Sequence, residues 1–317
     1  MSETNEDVLG RTNELFSRLF DELERVIVGQ KDALEQLIIS ILCNGHALVE
    51  SNPGLGKTLM ISTLTKLMDL KFSRVQCTPD LMPSDITGTY ILEETSEGKQ
   101  FRFEAGPVFA NIVLADEINR ASPKTQSALL EAMQERQVTA GGQTFALESP
   151  FFVLATQNPI EMEGTFPLPE AQLDRFLFKI NMGYPTPTEE MEIVNRYTTN
   201  VTPEVRRVIS KDAILKLQML TREVPISNEL KQLVINIITT TRINIPEIAY
   251  GASPRASIGL ILAAKARAFI HGRSFVSHED VKIMTYPVLR HRIILTFEAE
   301  RRGITPDIVI SKILDAV

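Results

Sequence analysis

The stretch "HALVESNPGLGKT" at 46–58 constrains the fold more than any other part of the chain. A short apolar run leads into a Pro-Gly-x-Gly turn, and Lys57-Thr58 follows where a helical pattern begins. Strand, glycine loop and helix in that order build an anion cradle, because the loop and the helix N-terminus aim several backbone N–H groups at one spot. The candidate nucleotide-binding residues here are Asn52, Pro53, Gly54, Leu55, Gly56, Lys57, Thr58 and Leu59. Lys57 is placed to reach the β- and γ-phosphates, and the Thr58 hydroxyl to ligate Mg²⁺. The bland alternative is a glycine turn with no ligand, but an apolar strand running into these residues has few structural reasons to exist. The full pattern, G-x-x-x-x-G-K-[ST], asks for glycine at position 51, where this chain has serine. That first glycine precedes the cradle, so a small Ser51 is expected to be accommodated at some cost in backbone strain.

A cradle of this kind needs a parallel sheet behind it, and the rest of the N-terminal half supplies one. Four further apolar runs follow: "FSRVQC" (73–77 region), "NIVLADE" (111–117), "FFVLATQN" (151–158) and "FLFKINM" (176–182). Helical patterns separate most of them, including 60–68 and 123–136, the latter with Ser122 as N-cap and Pro123 at the first helical position. Two more helices precede the first strand, at 11–26 and about 31–43. Strands alternating with helices predict a five-stranded parallel sheet covered on both faces. Residues 88–106 and 136–150 read as two β-hairpin insertions, the second turning at Gly141-Gly142. After Tyr184 the pattern reads as helices only, over about 187–199, 212–223, 228–243, 254–271, 278–293 and 306–316. The expected organisation is an α/β domain over 1–185 and an all-helical domain over 186–317.

Two strand ends carry further chemistry. "NIVLADEINR" puts Asp116 and Glu117 at the carboxyl end of a buried strand, where ligands sit in doubly wound sheets. Asp116 can hold Mg²⁺ through its water shell, and Glu117 can polarise the attacking water. An acidic pair at a strand end is more often a solvated turn; its order relative to the glycine loop reverses that preference. Asn158 ends another strand and can orient water against the γ-phosphate, although an Asn-Pro pair alone is only a turn signal.

The charge and cysteine content narrow the setting. A net charge of −7 argues mildly against a protein that coats DNA or an anionic membrane. The two cysteines, Cys43 and Cys77, sit in apolar segments without metal-ligand spacing, which fits a reducing compartment. The acidic, polar start "MSETNEDVLG" is no signal peptide, and no apolar run reaches spanning length, so a cytoplasmic protein without direct membrane insertion is expected.

With these residues in view, the chain resembles the AAA+ ATPases and, within them, the MoxR family. The likeness covers "VIVGQ" (26–30), "NPGLGKT" (52–58), "TPDLMPSDITG" (78–88), "AGPVFANIVLADEINRASPKTQSALLEAMQE" (105–135), "FFVLATQNPIEMEGTFPLPEAQLDRF" (151–176) and "GASPRAS" (251–257). The resemblance implies an AAA+ P-loop NTPase fold followed by a helical lid domain, with ATP and Mg²⁺ as cofactors. It implies an adenine pocket at Ile27, Val28, Gly29 and Gln30, a sensor 1 role for Asn158, an arginine finger at Arg175 and a sensor 2 role for Arg255. It also implies a homo-oligomer, most often a hexameric ring, and a protein partner with a von Willebrand factor A domain. Read from the residues alone, Arg175 would sooner be a surface ion pair to Asp174 or Glu170, and Arg255 a solvated residue in a helix first turn. Arginine in that turn is a little unfavourable for the helix dipole, which hints at function.

The hairpins resemble those of the AAA+ branch that includes magnesium chelatase motors and replicative helicases. A DNA motor should carry basic hairpin tips, because phosphate contacts dominate affinity. Here 139–143 has no Lys or Arg, and the first hairpin sets Glu93, Glu94, Glu97 and Glu104 against Lys99 and Arg102. The leading expectation is an ATP-driven, chaperone-like ring that remodels a protein partner, with no nucleic acid. The alternatives are a nucleic-acid motor of the same branch and a nucleotide-dependent scaffold with little turnover.

Overall fold

The computed structural model of the chain describes residues 5–95, 98–158, 164–199, 203–243 and 245–317. The tip of the first hairpin, with the Glu97 weighed above, and residues 159–163 of the "FFVLATQNPIEMEG" segment lie outside them. Helices α1 (Asn5–Glu24) and α2 (Lys31–Leu42) lead to strand β1 (Ala47–Ser51), and α3 (Lys57–Leu67) follows the glycine loop. Then come β2 (Phe72–Gln76), α4 (Pro83–Thr87), the hairpin β3 (Gly88–Thr95) and β4 (Gly98–Ala105), β5 (Ile112–Asp116) and α5 (Pro123–Glu135). The second hairpin, β6 (Gln137–Ala140) and β7 (Gln143–Ala146), precedes β8 (Phe152–Gln157), the short α6 (Glu170–Leu173) and β9 (Phe178–Met182).

The five long-range strands form one parallel sheet in the order β2-β5-β8-β1-β9. Side chains alternate across it as strand geometry requires. Ala47, Val49 and Leu114 face a core built with α1, α2 and α3. Leu48, Val113 and Ala115 face a second core with Ile86 of α4 and Leu129, Leu130 and Met133 of α5. Both faces are covered, so the central strands read as near-continuous apolar runs. Registers Gln76↔Asp116 and Glu50↔Gln157 bring the carboxyl ends of β2, β5, β8 and β1 level, and with them Ser51, Asp116 and Asn158.

The two hairpins pack on each other. Phe103 stacks on Phe145 with ring centroids 4.2 Å apart, Phe109 meets both rings edge-on, and Tyr90 Oη donates to Gln143 Oε1. Gly141 has a positive φ of 56° and lies so close to the Tyr90 ring that a Cβ would come within 2.4 Å, so only glycine fits that turn.

The C-terminal part is helical: α7 (Pro187–Tyr197), α8 (Lys211–Glu223), α9 (Asn228–Thr240), α10 (Pro254–Ile270), α11 (His278–Leu289), α12 (Phe297–Arg301) and α13 (Pro306–Ala316). Thr186, Ser253, Ser277 and Thr305 cap their helices through side-chain oxygens. The reading of this part as helices only needs correction. Strands β10 (Ile248–Tyr250) and β11 (Ile294–Leu295) pair antiparallel, and α11 stops at Leu289 instead of running to 293. Two- and three-residue strands are too short to show a period. Beyond Leu289, Arg292 turns inward to backbone carbonyls of residues 174–177, a tertiary contact that outweighs helical propensity. Helices α8 and α10 pack on α2, α10 also on α1, and α11 on β9, so one apolar core runs from the sheet into the helical part.

Two buried histidines add a pH dependence. His46 Nε2 faces Met133 O at 3.1 Å, and the Val153 N–H donates to its Nδ1, which fixes the neutral tautomer. Burial pushes its pKa down to about 4, the Met133 carbonyl opposing and the Arg136 charge adding to the fall. His291 is likewise held well below the ordinary 6.5 by burial and by neighbouring Arg292. A histidine whose folded pKa lies below its unfolded one stabilises the fold in full above 6.5, and loses that contribution as pH falls towards the folded value. Unfolding free energy is therefore expected to drop between pH 6.5 and 5 by up to about 1.4 kcal/mol per pH unit for each of these rings. Urea titrations at both pH values measure it, and an unchanged midpoint would contradict the burial of neutral rings.

Candidate nucleotide site

The glycine loop sits where β1 hands over to α3. Gly54 and Gly56 have φ of 82° and 75°, left-handed values that glycine adopts without strain. Gly56 is the N-cap of α3 and offers no side-chain cap, so the first N–H groups of the helix are left to an anion. The Lys57 ammonium folds back over the loop. Its Nζ lies 2.8 Å from Ser51 Oγ, 3.2 Å from Asn52 O and 3.4 Å from Ser51 O. Burial lowers the pKa of Lys57, while Asp116 and Glu117 pull it the other way. The serine in place of glycine thus contributes one of three oxygens that hold the lysine. Ser51→Gly leaves the two carbonyls, so ATP affinity is expected to change only a few-fold in a fluorescent-nucleotide titration; binding gained only in the glycine variant would make Ser51 a block.

One hydroxyl organises the acidic pair. Thr156 Oγ1 on β8 donates to Asp116 Oδ1 at 2.7 Å and accepts the Glu117 N–H at 2.8 Å. Arg74 of β2 donates to Asp116 Oδ2 at 2.7 Å. Glu117 is left-handed, with φ 57°, a strained setting for a non-glycine residue and common at functional sites. Its Oε2 accepts from Arg120 at 3.1 Å and from Gln76 at 3.3 Å. Asn158 is buried just past the end of β8. The hydroxyl of Thr58 and the carboxylate of Asp116 are hard oxygen donors that suit Mg²⁺. Among the described residues no group of three or more His, Cys, Asp or Glu could hold a metal by itself.

Beside the loop lies an apolar cavity of about 210 Å³. Ile27, Val28 and Gln30 line one side, Gly54, Leu55, Gly56 and Leu59 another, and Ile193 and Tyr197 of α7 close it. An apolar cavity that reaches the N-cap of α3 matches a base joined to phosphates. Gln30 Nε2 donates to Gly183 O, and Tyr197 Oη to Val26 O, tying strand end and α7 to the pocket. Gly29 does not line the cavity. With φ 68° it packs against Glu189, where a Cβ would fall 2.5 Å from Oε1. Tyr197 had no signal in the sequence beyond its place on a helix.

Arg175 and Arg255 lie elsewhere. Arg175 precedes β9, whose Phe178 pairs with Ala47 at the start of β1, while the glycine loop leaves the far end at Ser51. At a strand rise of about 3.3 Å per residue the two are separated by roughly 13 Å or more, further than an arginine side chain extends. The expected ion pair of Arg175 with Asp174 or Glu170 is not formed; its guanidinium donates to Leu130 O at 3.0 Å. Asp174 is bonded instead to Arg292, Ser253 and Arg255. Arg175 and Arg255 line one open cavity of about 270 Å³.

Comparison with known proteins agrees with this geometry. Residues 46–178 match the ATPase family associated with various cellular activities (AAA), and residues 241–313 match an AAA lid domain. The chain is 47% identical to the Chaperone MoxR1 of Mycobacterium tuberculosis, over 95% of this chain and 81% of that one. It is 31% identical to the MoxR protein of Methylorubrum extorquens, over 92% of each. A crystal structure from Cytophaga hutchinsonii, provisionally named an ATPase, superposes with a TM-score of 0.91 at 45% identity, covering 98% of this chain and 96% of that one. A strand-loop-helix cradle, an acidic pair at the carboxyl end of β5 and whole-length likeness to these relatives lead to one conclusion: the chain belongs to the MoxR family of AAA+ ATPases.

Proposed function

We propose that this ATPase is Mg²⁺-dependent, works as a ring of identical subunits, and spends ATP on remodelling protein partners. Lys57 and the amides of 52–58 bind the phosphates, with Thr58 and Asp116 holding Mg²⁺. Glu117 polarises the attacking water, Asn158 orients it, and Ile27, Val28 and Gln30 hold the base. Arg175 and Arg255 complete the site of a neighbouring subunit. One observation carries the ring: both arginines stand at the opposite end of β1 from their own glycine loop. A hexamer and a partner with a von Willebrand factor A domain follow the family resemblance. In this reading the α/β domain spans 1–185 and the lid 186–317. Two free, buried thiols, Cys43 and Cys77, each pushed up to about 12, agree with a reducing cytoplasm. Among the described residues no helix is long and apolar enough to cross a membrane.

A chaperone-like role is favoured by the relative named Chaperone MoxR1 and by the first hairpin. There Lys99 pairs with Glu94 and Arg102 with Glu93, which leaves little free positive charge for phosphates. The cross-strand pair Leu92 and Phe101 is exposed beside them, 52% and 74%, and suits contact with a polypeptide. Phosphate release with Mg²⁺, with a chelator, and with single- or double-stranded DNA is the test. Turnover is expected to need Mg²⁺ and to ignore DNA. Several-fold stimulation by DNA would favour the motor reading, and no turnover at all would favour the scaffold.

A further inference from the structure

Asp174 is the residue before Arg175, and three side chains converge on its carboxylate, two from the start of α10 and one from the segment after α11. Oδ1 accepts from Arg292 Nε at 2.8 Å, and Oδ2 accepts from Ser253 Oγ at 2.9 Å and from Arg255 at 3.4 Å. Ser253 is also the N-cap of α10 and accepts the N–H of Arg255 at 3.2 Å. One carboxylate therefore fixes the backbone of Arg255 through its cap and the side chain of Arg255 directly.

Arg292 stands behind Asp174 and is only 3% exposed. A guanidinium carries five N–H donors. Here Nε goes to the Asp174 carboxylate, one terminal nitrogen to Leu177 O and Val288 O, and the other to Asp174 O and Phe176 O. Each donor has an acceptor, and four of the five acceptors belong to residues 174–177, the segment that carries Arg175. The packing is close as well. Leu177 touches Gly45 and, from α10, Gly259, where an added Cβ would lie 2.8 Å and 3.0 Å from its side chain.

We propose that Asp174, locked by Arg292, is a positioning residue that holds Arg175 and Arg255 as one rigid pair facing the neighbouring subunit's nucleotide. The inference rests on the reading that these arginines act on a neighbour. It adds that they engage and disengage together, because α10 cannot swing from the Arg175 segment while Asp174 bridges them.

The test is Asp174→Asn, which keeps the volume and removes the charge. Fluorescent-nucleotide Kd is expected to stay within about two-fold of wild type, while kcat falls at least ten-fold. Mixed with Lys57→Ala, this variant is expected to regain turnover, since its own loop is whole and its partner's arginines are in place. Mixed with Arg175→Ala it is expected to stay inactive, because both partners present defective arginines. A variant that merely unfolds would lose nucleotide binding and regain nothing. Should Asp174→Asn not fold, Ser253→Ala, which leaves the Arg292 lock intact, is expected to lower kcat several-fold at unchanged Kd. Full kcat in Asp174→Asn, or in Ser253→Ala if that variant stands in for it, would overturn the inference, and so would rescue of Asp174→Asn by Arg175→Ala. The control mixture of Arg175→Ala with Lys57→Ala separates the two levels. If it recovers while Asp174→Asn keeps wild-type turnover, only the positioning role falls; if it does not recover, the neighbour reading falls and takes the positioning role with it.

Discussion

Glu117→Gln is expected to bind ATP as tightly as wild type and to hydrolyse it about 10²–10⁴-fold more slowly, the usual worth of a positioned general base. The amide keeps the shape and can still meet Arg120, but it cannot take a proton from water. The backbone of Glu117 is held independently, by its N–H on Thr156 Oγ1, so the substitution should not disturb the loop. Lys57→Ala is expected to behave in the opposite way and lose ATP binding itself. Its ammonium contacts phosphate in the ground state, and no other described cation lies on the glycine loop. Nucleotide titration beside phosphate release separates the two losses. Wild-type turnover in the Glu117 variant would remove that residue from the chemistry. The same variant, stalled with ATP bound, is a means of capturing the protein partner for identification.

Arg175→Ala is expected to cost about 10³–10⁵ in rate, the range for an arginine that meets charge developing on the γ-phosphoryl group. Its affinity for ATP should change little, because the side chain is distant from its own loop. Wild-type specific activity should rise with protein concentration and level off once assembly is complete. Sedimentation run beside the rate measurements would show whether activity follows assembly. Wild-type turnover in Arg175→Ala would reduce its guanidinium to the hydrogen bond it donates to Leu130 O.

The features legible in the sequence are those whose physics is local. Gly54, Gly56 and Lys57 announce the cradle because only glycine adopts those φ angles at no cost. Ser122, Thr186, Ser253, Ser277 and Thr305 announce helix starts because a hydroxyl before a helix satisfies an amide that has no other partner. The central sheet strands show as apolar runs because both faces are buried. What could not be read depends on residues far apart in the chain. Asp174 and Arg292 are 118 positions apart, and each looks like an ordinary surface charge. Thr156 is one more small residue inside a strand until β5 lies beside it. Ser51 reads as a lost glycine, and only the folded loop shows its hydroxyl on the Lys57 ammonium. Strands β10 and β11 carry no period at all, and the inward turn of Arg292 ends a helix that propensity would have continued.

The site shared between subunits is tested most directly by mixing two inactive variants. Arg175→Ala keeps its glycine loop and lacks the arginine; Lys57→Ala keeps the arginine and cannot bind ATP. Neither should hydrolyse ATP alone. Combined in equal amounts, they form some interfaces in which an intact arginine meets an intact loop, and phosphate release is expected to recover in part. Recovery stays incomplete because most interfaces remain defective and neighbouring sites can be coupled. A mixture as inactive as its components, from variants that still assemble, would contradict a site built by two subunits.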